Sequence, residues 1–304
     1  MTTILFEGPP HTYLPEIQAY IRFLEEAYPA VKPYIATELG DFDHKEFDVI
    51  WRFMGLDPKA EGRFVVHEYN SLSAGRWPVL KNTVKMMLNK KPDQRVFLNK
   101  IVKTGFPFND DVPYKYRDMG IAQQFFDTPL KPEFDFVYAG SIHRGQDVVK
   151  MLDHFAENIK DSSLLIIGAA NPDVVAKYKN ASNIRFSGRV PYEEVAQWVA
   201  LGRYGLNLVP DQYPYNVQTA TKVLEYCALG LPIVSMKYRW STQFERQRKG
   251  QFFWLAPDYS NLTLKQVKKF DFVTPNVEDR RWKNLIKKSG VFDFLNEGKI
   301  RSVA

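Results

Sequence analysis

Residues 219–235 read TATKVLEYCALGLPIVS. Val223, Leu224, Cys227 and Ala228 recur at the spacing of one helical face, and the PIVS that follows has the apolar, β-branched character of a short buried strand. Thr219 or Thr221 is placed to cap this helix, Gly230 to end it in a left-handed turn, and Pro232 to forbid its continuation. A helix closed by glycine and fed at once into an apolar strand is half of a parallel α/β repeat. Lys222 and Glu225 are three residues apart and so share a face, expected to point away from the core.

The same unit recurs on both sides of this stretch. Upstream, FDFVYAG (134–140), SSLLIIGA (162–169), NIRFSGRV (183–190) and YGLNLVP (204–210) read as strands, with helical segments QDVVKMLDHFAENI and PYEEVAQWVALG between them. FFWLAP (252–257) adds a further strand after PIVSM. In the N-terminal half, ILFEG (4–8), FDVIWRFMG (47–55), RFVVHEYN (63–70) and RVFLNKIV (95–102) are strand candidates. PEIQAYIRFLEEAYP and a basic segment near 78–90 supply the helices. GFPFNDDVPYKYRDMG (105–120) breaks the rhythm with prolines and paired aspartates and reads as a linker. The expectation is an α/β chain of two Rossmann-like domains, 1–130 with the linker near 105–130, and 131–304, each a parallel sheet with helices on both faces. The terminal helix is expected to pack back on the N-terminal domain.

Composition fits that plan. The 304 residues are enough for two cores, and 45% hydrophobic with 25% charged residues describes an ordinary globular chain. No apolar run is long enough to span a bilayer, and the first residues carry no basic segment of a secretory signal, so a cytoplasmic protein is expected. Cys227 stands alone, which excludes an intramolecular disulfide and argues against a cysteine metal site. The net charge of +6 suits acidic partners: phosphorylated small molecules, anionic lipid or nucleic acid. Lysines cluster in KNTVKMMLNKK (81–91), where Lys81, Lys85, Lys90 and Lys91, with Trp77, Met86 and Met87 as apolar contacts, form either a solvated helix face or a docking face for an anionic membrane.

Lys222 falls in the first turn of its helix, where the macrodipole disfavours a cation. An anion docked on the free N–H groups there reverses that penalty, and a lysine adds a point charge. One turn on, a carboxylate accepts hydrogen bonds from neighbouring sugar hydroxyls, as acidic residues do with ribose in dinucleotide folds. Phosphate at the tip and ribose one turn along describe a nucleoside diphosphate. The alternative is an exposed Lys–Glu pair contributing a few tenths of a kcal/mol.

TKVLEYCALGLPIVS resembles the donor-site motif of GT-B type glycosyltransferases of the group 1 family, which carry two facing Rossmann-like domains. FVYAGSIHRGQDVVKMLDHF resembles the strand and glycine turn that open their C-terminal domain, and NIRFSGRVPYEEV their base-binding segment; the likeness covers residues 134 to 240 in order. It implies a glycosyltransferase that uses a nucleotide-sugar donor, UDP- or GDP-linked, with a glycan or lipid-linked saccharide as acceptor, as in cell-surface polysaccharide assembly. By the same resemblance Glu225 would hold ribose. Thr221, Lys222 and Arg144 would contact the diphosphate, Gly140 and Ser141 would lie near the β-phosphate, and Gly188, Arg189 and Val190 would flank the base. Many retaining members place a second glutamate where this chain has Val217, with only Asn216 and Gln218 beside it.

A catalytic base belongs at a strand's carboxyl end, within reach of an acceptor hydroxyl. His11 in GPPHTYLPEI is the first candidate and Glu68 the second; Asp110 and Asp111 are further carboxylates. Asp41-Phe42-Asp43 matches a short metal-binding pattern but lies outside the motif-bearing domain, and no cofactor or metal is expected. Two other classes share the observations: a nucleotide-sugar 2-epimerase of the same fold, and a non-enzymatic binder of nucleic acid or glycan. The second lacks any RNA-binding or helix-turn-helix signature here.

Overall fold

The computed structural model describes residues 1–9, 14–53, 55, 62–73, 76–140, 142 and 146–300. The chain divides into two units, Met1–Ala122 with Asp279–Ala304, and Gln123–Glu278. In the first, β1 (Thr2–Glu7), β2 (Val31–Ile35), β3 (Val49–Phe53), β4 (Phe64–Tyr69), β5 (Gln94–Phe97) and β6 (Tyr114–Tyr116) form a six-stranded sheet. Its order is β2-β1-β3-β4-β5-β6 and every pairing is parallel. Helices α1 (Pro15–Ala27), α2 (Pro78–Leu88) and α3 (Lys100–Thr104) lie between strands in the chain.

The second unit opens with the short helix α4 (Gln124–Asp127), and alternation then follows. It runs through β7 (Phe134–Ala139), α5 (Gln146–Glu157), β8 (Leu164–Ile167), α6 (Pro172–Lys177), β9 (Ile184–Phe186) and α7 (Tyr192–Val199). After these come β10 (Gly202–Asn207), α8 (Thr221–Ala228), β11 (Ile233–Ser235), α9 (Arg239–Arg248), β12 (Phe253–Trp254) and α10 (Leu264–Lys268). The strands form a second parallel sheet, ordered β12-β11-β10-β7-β8-β9. α11 (Trp282–Ser289) belongs again to the first unit, where Trp282, Leu285 and Ile286 join Tyr20 and Leu24 in the core.

Apolar residues on consecutive strand positions explain why helices cover both faces. In β1, Ile4 and Phe6 pack with Trp51 and Phe292, whereas Leu5 packs with Phe47 and Ile50 on the opposite side. A strand buried on both faces reads as a continuous apolar run.

Several elements differ from the sequence expectation. β2 carries Pro33, which argues against a central strand; the structure places β2 at the sheet edge, where a missing N–H is tolerated. RVFLNKIV is not one strand. β5 ends at Phe97 and Asn99 caps α3, its side chain accepting from Val102 N–H at 3.0 Å. Within 105–130 the chain builds β6 and α4, and Asp110 grips Arg95 through two contacts of 2.5 and 2.8 Å. β9 stops at Phe186.

The first unit encloses a charge cluster. Glu68, fully buried, accepts from Trp51 Nε1 at 2.7 Å, Arg117 Nε at 2.7 Å and the Tyr20 hydroxyl at 3.1 Å. Arg117 also donates to Asn70 Oδ1 at 2.8 Å and lies 3.6 Å from Glu16. Burial pushes the Glu68 carboxyl up to about 7, although Arg117 pulls it down. Glu68, the second candidate base, thus has both carboxyl oxygens held by interior donors.

Arg117→Leu is expected to destabilise the protein by ~3–5 kcal/mol in urea denaturation at pH 8, where Glu68 is ionised and loses its buried partner. The folded chain also holds the Glu68 proton up to about 7, against an ordinary value of 4.5. Its contribution is therefore complete below 4.5 and is lost as pH rises through about 7. Parental stability in Arg117→Leu would contradict this account.

Candidate functional site

α8 is fixed to its sheet by one side chain. The Tyr226 hydroxyl accepts from Ala139 N–H at 3.0 Å and donates to Leu206 carbonyl at 3.3 Å, tying β7 to β10. Its ring lies on Gly205, where a Cβ would come within 2.5 Å of the ring. The helix closes as expected at Gly230, whose φ is 72°. Leu231 N–H reaches Tyr226 carbonyl at 2.9 Å and Gly230 N–H reaches Cys227 carbonyl at 3.0 Å, both bonds of the Schellman ending. At the other end the expectation fails. Ala220 occupies the cap position and no side chain caps the helix; Val223 N–H turns back to the Ala220 carbonyl at 3.0 Å, which leaves the N–H groups of Thr221 and Lys222 to another acceptor.

Three adjacent strands end in glycines with positive φ: Gly140 after β7, Gly168 after β8 and Gly188 beyond β9, at 146°, 130° and 73°. They are knitted together, Gly140 N–H donating to Ile167 carbonyl at 2.8 Å and Gly168 N–H to Gly188 carbonyl at 3.0 Å. A Cβ on Gly168 would lie 2.7 Å from the Gly140 carbonyl oxygen, whereas one on Gly188 would meet nothing within 4 Å. The glycines bring backbone close to backbone at the carboxyl ends of the strands, where open α/β sheets bind ligands.

Two charged side chains of α8 complete the site, Lys222 beside Gly140 and Glu225 one turn along. The Lys222 ammonium lies 4.0 Å above the Tyr138 ring and 3.2 Å from where a Gly140 Cβ would be. Glu225 differs from the expectation of an outward-facing residue: only 7% of it is exposed. The Tyr192 hydroxyl donates to its Oε1 at 3.2 Å. Burial pushes Glu225 up to about 7, while Tyr192 and Lys222 pull it down. Tyr192 is itself set by Gln124, which donates to its carbonyl at 2.6 Å, and by the Phe125 ring 5.9 Å away. A buried carboxyl held by one hydroxyl keeps acceptor capacity for a ligand.

Sequence reasoning missed Tyr192 and Tyr138. Tyr192 is 33 residues from Glu225 and no local pattern links them. Of the other candidates, Thr221 opens α8 half-exposed, Arg189 is exposed and Val190 half-exposed. His11, Ser141 and Arg144 lie outside the described residues. Asp43 caps a turn at Lys45 N–H, and Asp111 pairs with Lys91. Among the described residues no three His, Cys, Asp or Glu side chains cluster as metal ligands.

The family model for glycosyl transferases group 1 matches residues 133–266, entirely within the second unit. Solved structures show a likeness of fold, of the GT-B type, over the whole chain. HepE from Anabaena, in complex with UDP-glucose, superposes with a TM-score of 0.61 at 12% identity, covering 98% of each chain. Sucrose-phosphate synthase from Thermosynechococcus elongatus gives 0.59 at 13% identity, covering 95% of this chain and 93% of its own. A T4 phage BGT variant with UDP-glucose gives 0.53 at 12% identity, covering 99% and 100%. No curated protein matches the chain by sequence.

The glycine geometry gives a ranking. Gly188→Ala should cost ~1–2 kcal/mol for its left-handed backbone alone. Gly168→Ala meets the Gly140 carbonyl as well and should cost clearly more in thermal or urea unfolding. Equal losses would mean that the strand ends are not packed as described.

Proposed function

We propose that the protein is a glycosyltransferase that takes its sugar from a uridine diphosphate donor bound at the carboxyl ends of β7 to β9 and the N-terminus of α8. The observation that carries the reading is the meeting of an uncapped helix N-terminus, the Lys222 ammonium, the Gly140 backbone and the Glu225 carboxyl. The helix end and Lys222 favour a diphosphate, and Glu225 one turn along suits a ribose diol. Thr221 and Arg144 join the diphosphate, Ser141 the β-phosphate, and Gly188, Arg189 and Val190 the base. The UDP-glucose complexes of HepE and T4 phage BGT, which share the fold, support uridine over guanosine.

Lys222 and the helix dipole stabilise the diphosphate as it leaves, so the reaction asks for no metal. The first unit takes the acceptor, a glycan or lipid-linked saccharide of cell-surface polysaccharide assembly, at the cytoplasmic face of the membrane. His11 is the general base, since Glu68 is enclosed, and the absence of a carboxylate at Val217 favours a single inverting displacement.

Glu225 makes the reading testable by pH. Its carboxyl sits at about 7 and must ionise to accept two ribose hydroxyls, whereas a sugar-linked diphosphate titrates no group in this range. Binding of UDP-glucose should therefore release a proton below pH 7 and be roughly tenfold weaker at pH 6 than at pH 8. In calorimetry, Glu225→Ala should lose ~1.5–3 kcal/mol of affinity and flatten that profile. His11→Ala should bind donor normally and lose ~10²–10⁴-fold in kcat. Donor affinity that is unchanged in Glu225→Ala removes the donor site as drawn.

A further inference from the structure

α2 is amphipathic in the wrong direction for a helix on a soluble protein. Its one fully buried residue is Asn82, whose Oδ1 accepts from Ser73 N–H at 3.1 Å. Leu80, Val84, Met87 and Leu88 lie on the opposite side at helical spacing and all face solvent, with Leu80 58% and Met87 78% exposed. Trp77, immediately before the helix, is 65% exposed. Of the thirteen large hydrophobic side chains exposed among the described residues, six fall between Trp77 and Leu88. That concentration distinguishes a patch from the scattered apolar residues of any surface.

Charge decides what the patch meets. From Arg76 to Lys91 the chain has five basic residues and no acidic one. Lys81 and Lys90 are exposed and flank the apolar stripe, and Lys85 is half-buried, its ammonium pulled below the usual lysine range by burial and by Lys81. Lys91 is committed to Asp111, and Met86 packs into the core with Tyr69 and Phe106, so neither belongs to the face. A short apolar stripe with cationic flanks is the pattern of a helix lying in a lipid interface, where lysine stems snorkel towards anionic headgroups. The helix has 11 residues, too few to cross a bilayer.

We infer that the outward face of α2 seats the protein on an anionic membrane, with Leu80, Val84, Met87 and Leu88 entering the interface and Lys81 and Lys90 meeting lipid phosphates. The inference deepens the proposed function and rests on it in one respect, the lipid-linked acceptor that such a seat would bring within reach. Apolar contact holds the helix, and charge selects the membrane and makes the attachment salt-sensitive.

The test is sedimentation of the full chain with vesicles of phosphatidylcholine alone and of phosphatidylcholine mixed equally with phosphatidylglycerol, at low and high salt. The parent should pellet with the mixed vesicles at low salt and remain free with neutral ones. Leu80→Glu/Met87→Glu should weaken that binding by roughly tenfold or more, and Lys81→Ser/Lys90→Ser should weaken it and flatten its salt dependence. Both variants should bind UDP-glucose as the parent does, which shows them folded. The inference is overturned if the parent ignores anionic vesicles, or if Leu80→Glu/Met87→Glu binds them undiminished. It is also overturned if that variant only abolishes self-association of the chain, since the face would then meet a second copy. A parent chain that binds UDP-glucose but no anionic vesicles condemns the seat alone; a parent that binds anionic vesicles but no UDP-glucose condemns the donor site alone.

Discussion

The second unit depends on how Tyr226 ties α8 to the sheet. With no Cβ on Gly205 the ring lies flat against β10, and its hydroxyl serves the Ala139 N–H and the Leu206 carbonyl together. Two backbone groups at the ends of neighbouring strands are satisfied by one buried oxygen, and leaving either unpaired would cost about 1–3 kcal/mol. This anchor sets where the first turn of α8 stands. Lys222 reaches Tyr138 and Gly140, and Glu225 reaches Tyr192, because the residue that follows Glu225 is immobilised on the strands beneath. The placing of Lys222 and Glu225 at the helix tip is thus a by-product of packing one residue away.

Glu68 and Glu225 show how burial and partners separate structure from chemistry. Both are buried and both are pushed up to about 7. Glu68 is enclosed by Arg117, Trp51 and Tyr20, three donors that the fold itself supplies. Among the described residues Glu225 has only the Tyr192 hydroxyl and the more distant charge of Lys222, which in turn stands beside Gly140. The first carboxyl is satisfied by the protein. The second has acceptor capacity to give.

The alternation of strands and helices, the ending of α8 at Gly230 and the glycines after β7, β8 and β9 were all legible in the sequence, because each rests on local patterns of apolar period, caps and turns. Two strands were not. Pro33 disguised β2, and the prolines and aspartates around β6 read as a linker; both strands lie at sheet edges, where the rules for central strands relax. Longer-range facts were invisible for another reason. Arg117 is 49 residues from Glu68 and Tyr192 is 33 from Glu225, and only the topology brings them together. Of the outward apolar face of α2, Trp77 and Met87 were named from the sequence, but Leu80, Val84 and Leu88 were not, because a helical stripe is ordinarily assigned to the core, and here Asn82 takes that place.

The most direct measurement is a crystal structure of the full chain with UDP-glucose. The account predicts the ribose hydroxyls within hydrogen-bond distance of Glu225, with the diphosphate between the Gly140 backbone and the Lys222 ammonium. Nucleotide density away from the N-terminus of α8, with Glu225 still bound to Tyr192 alone, would contradict it.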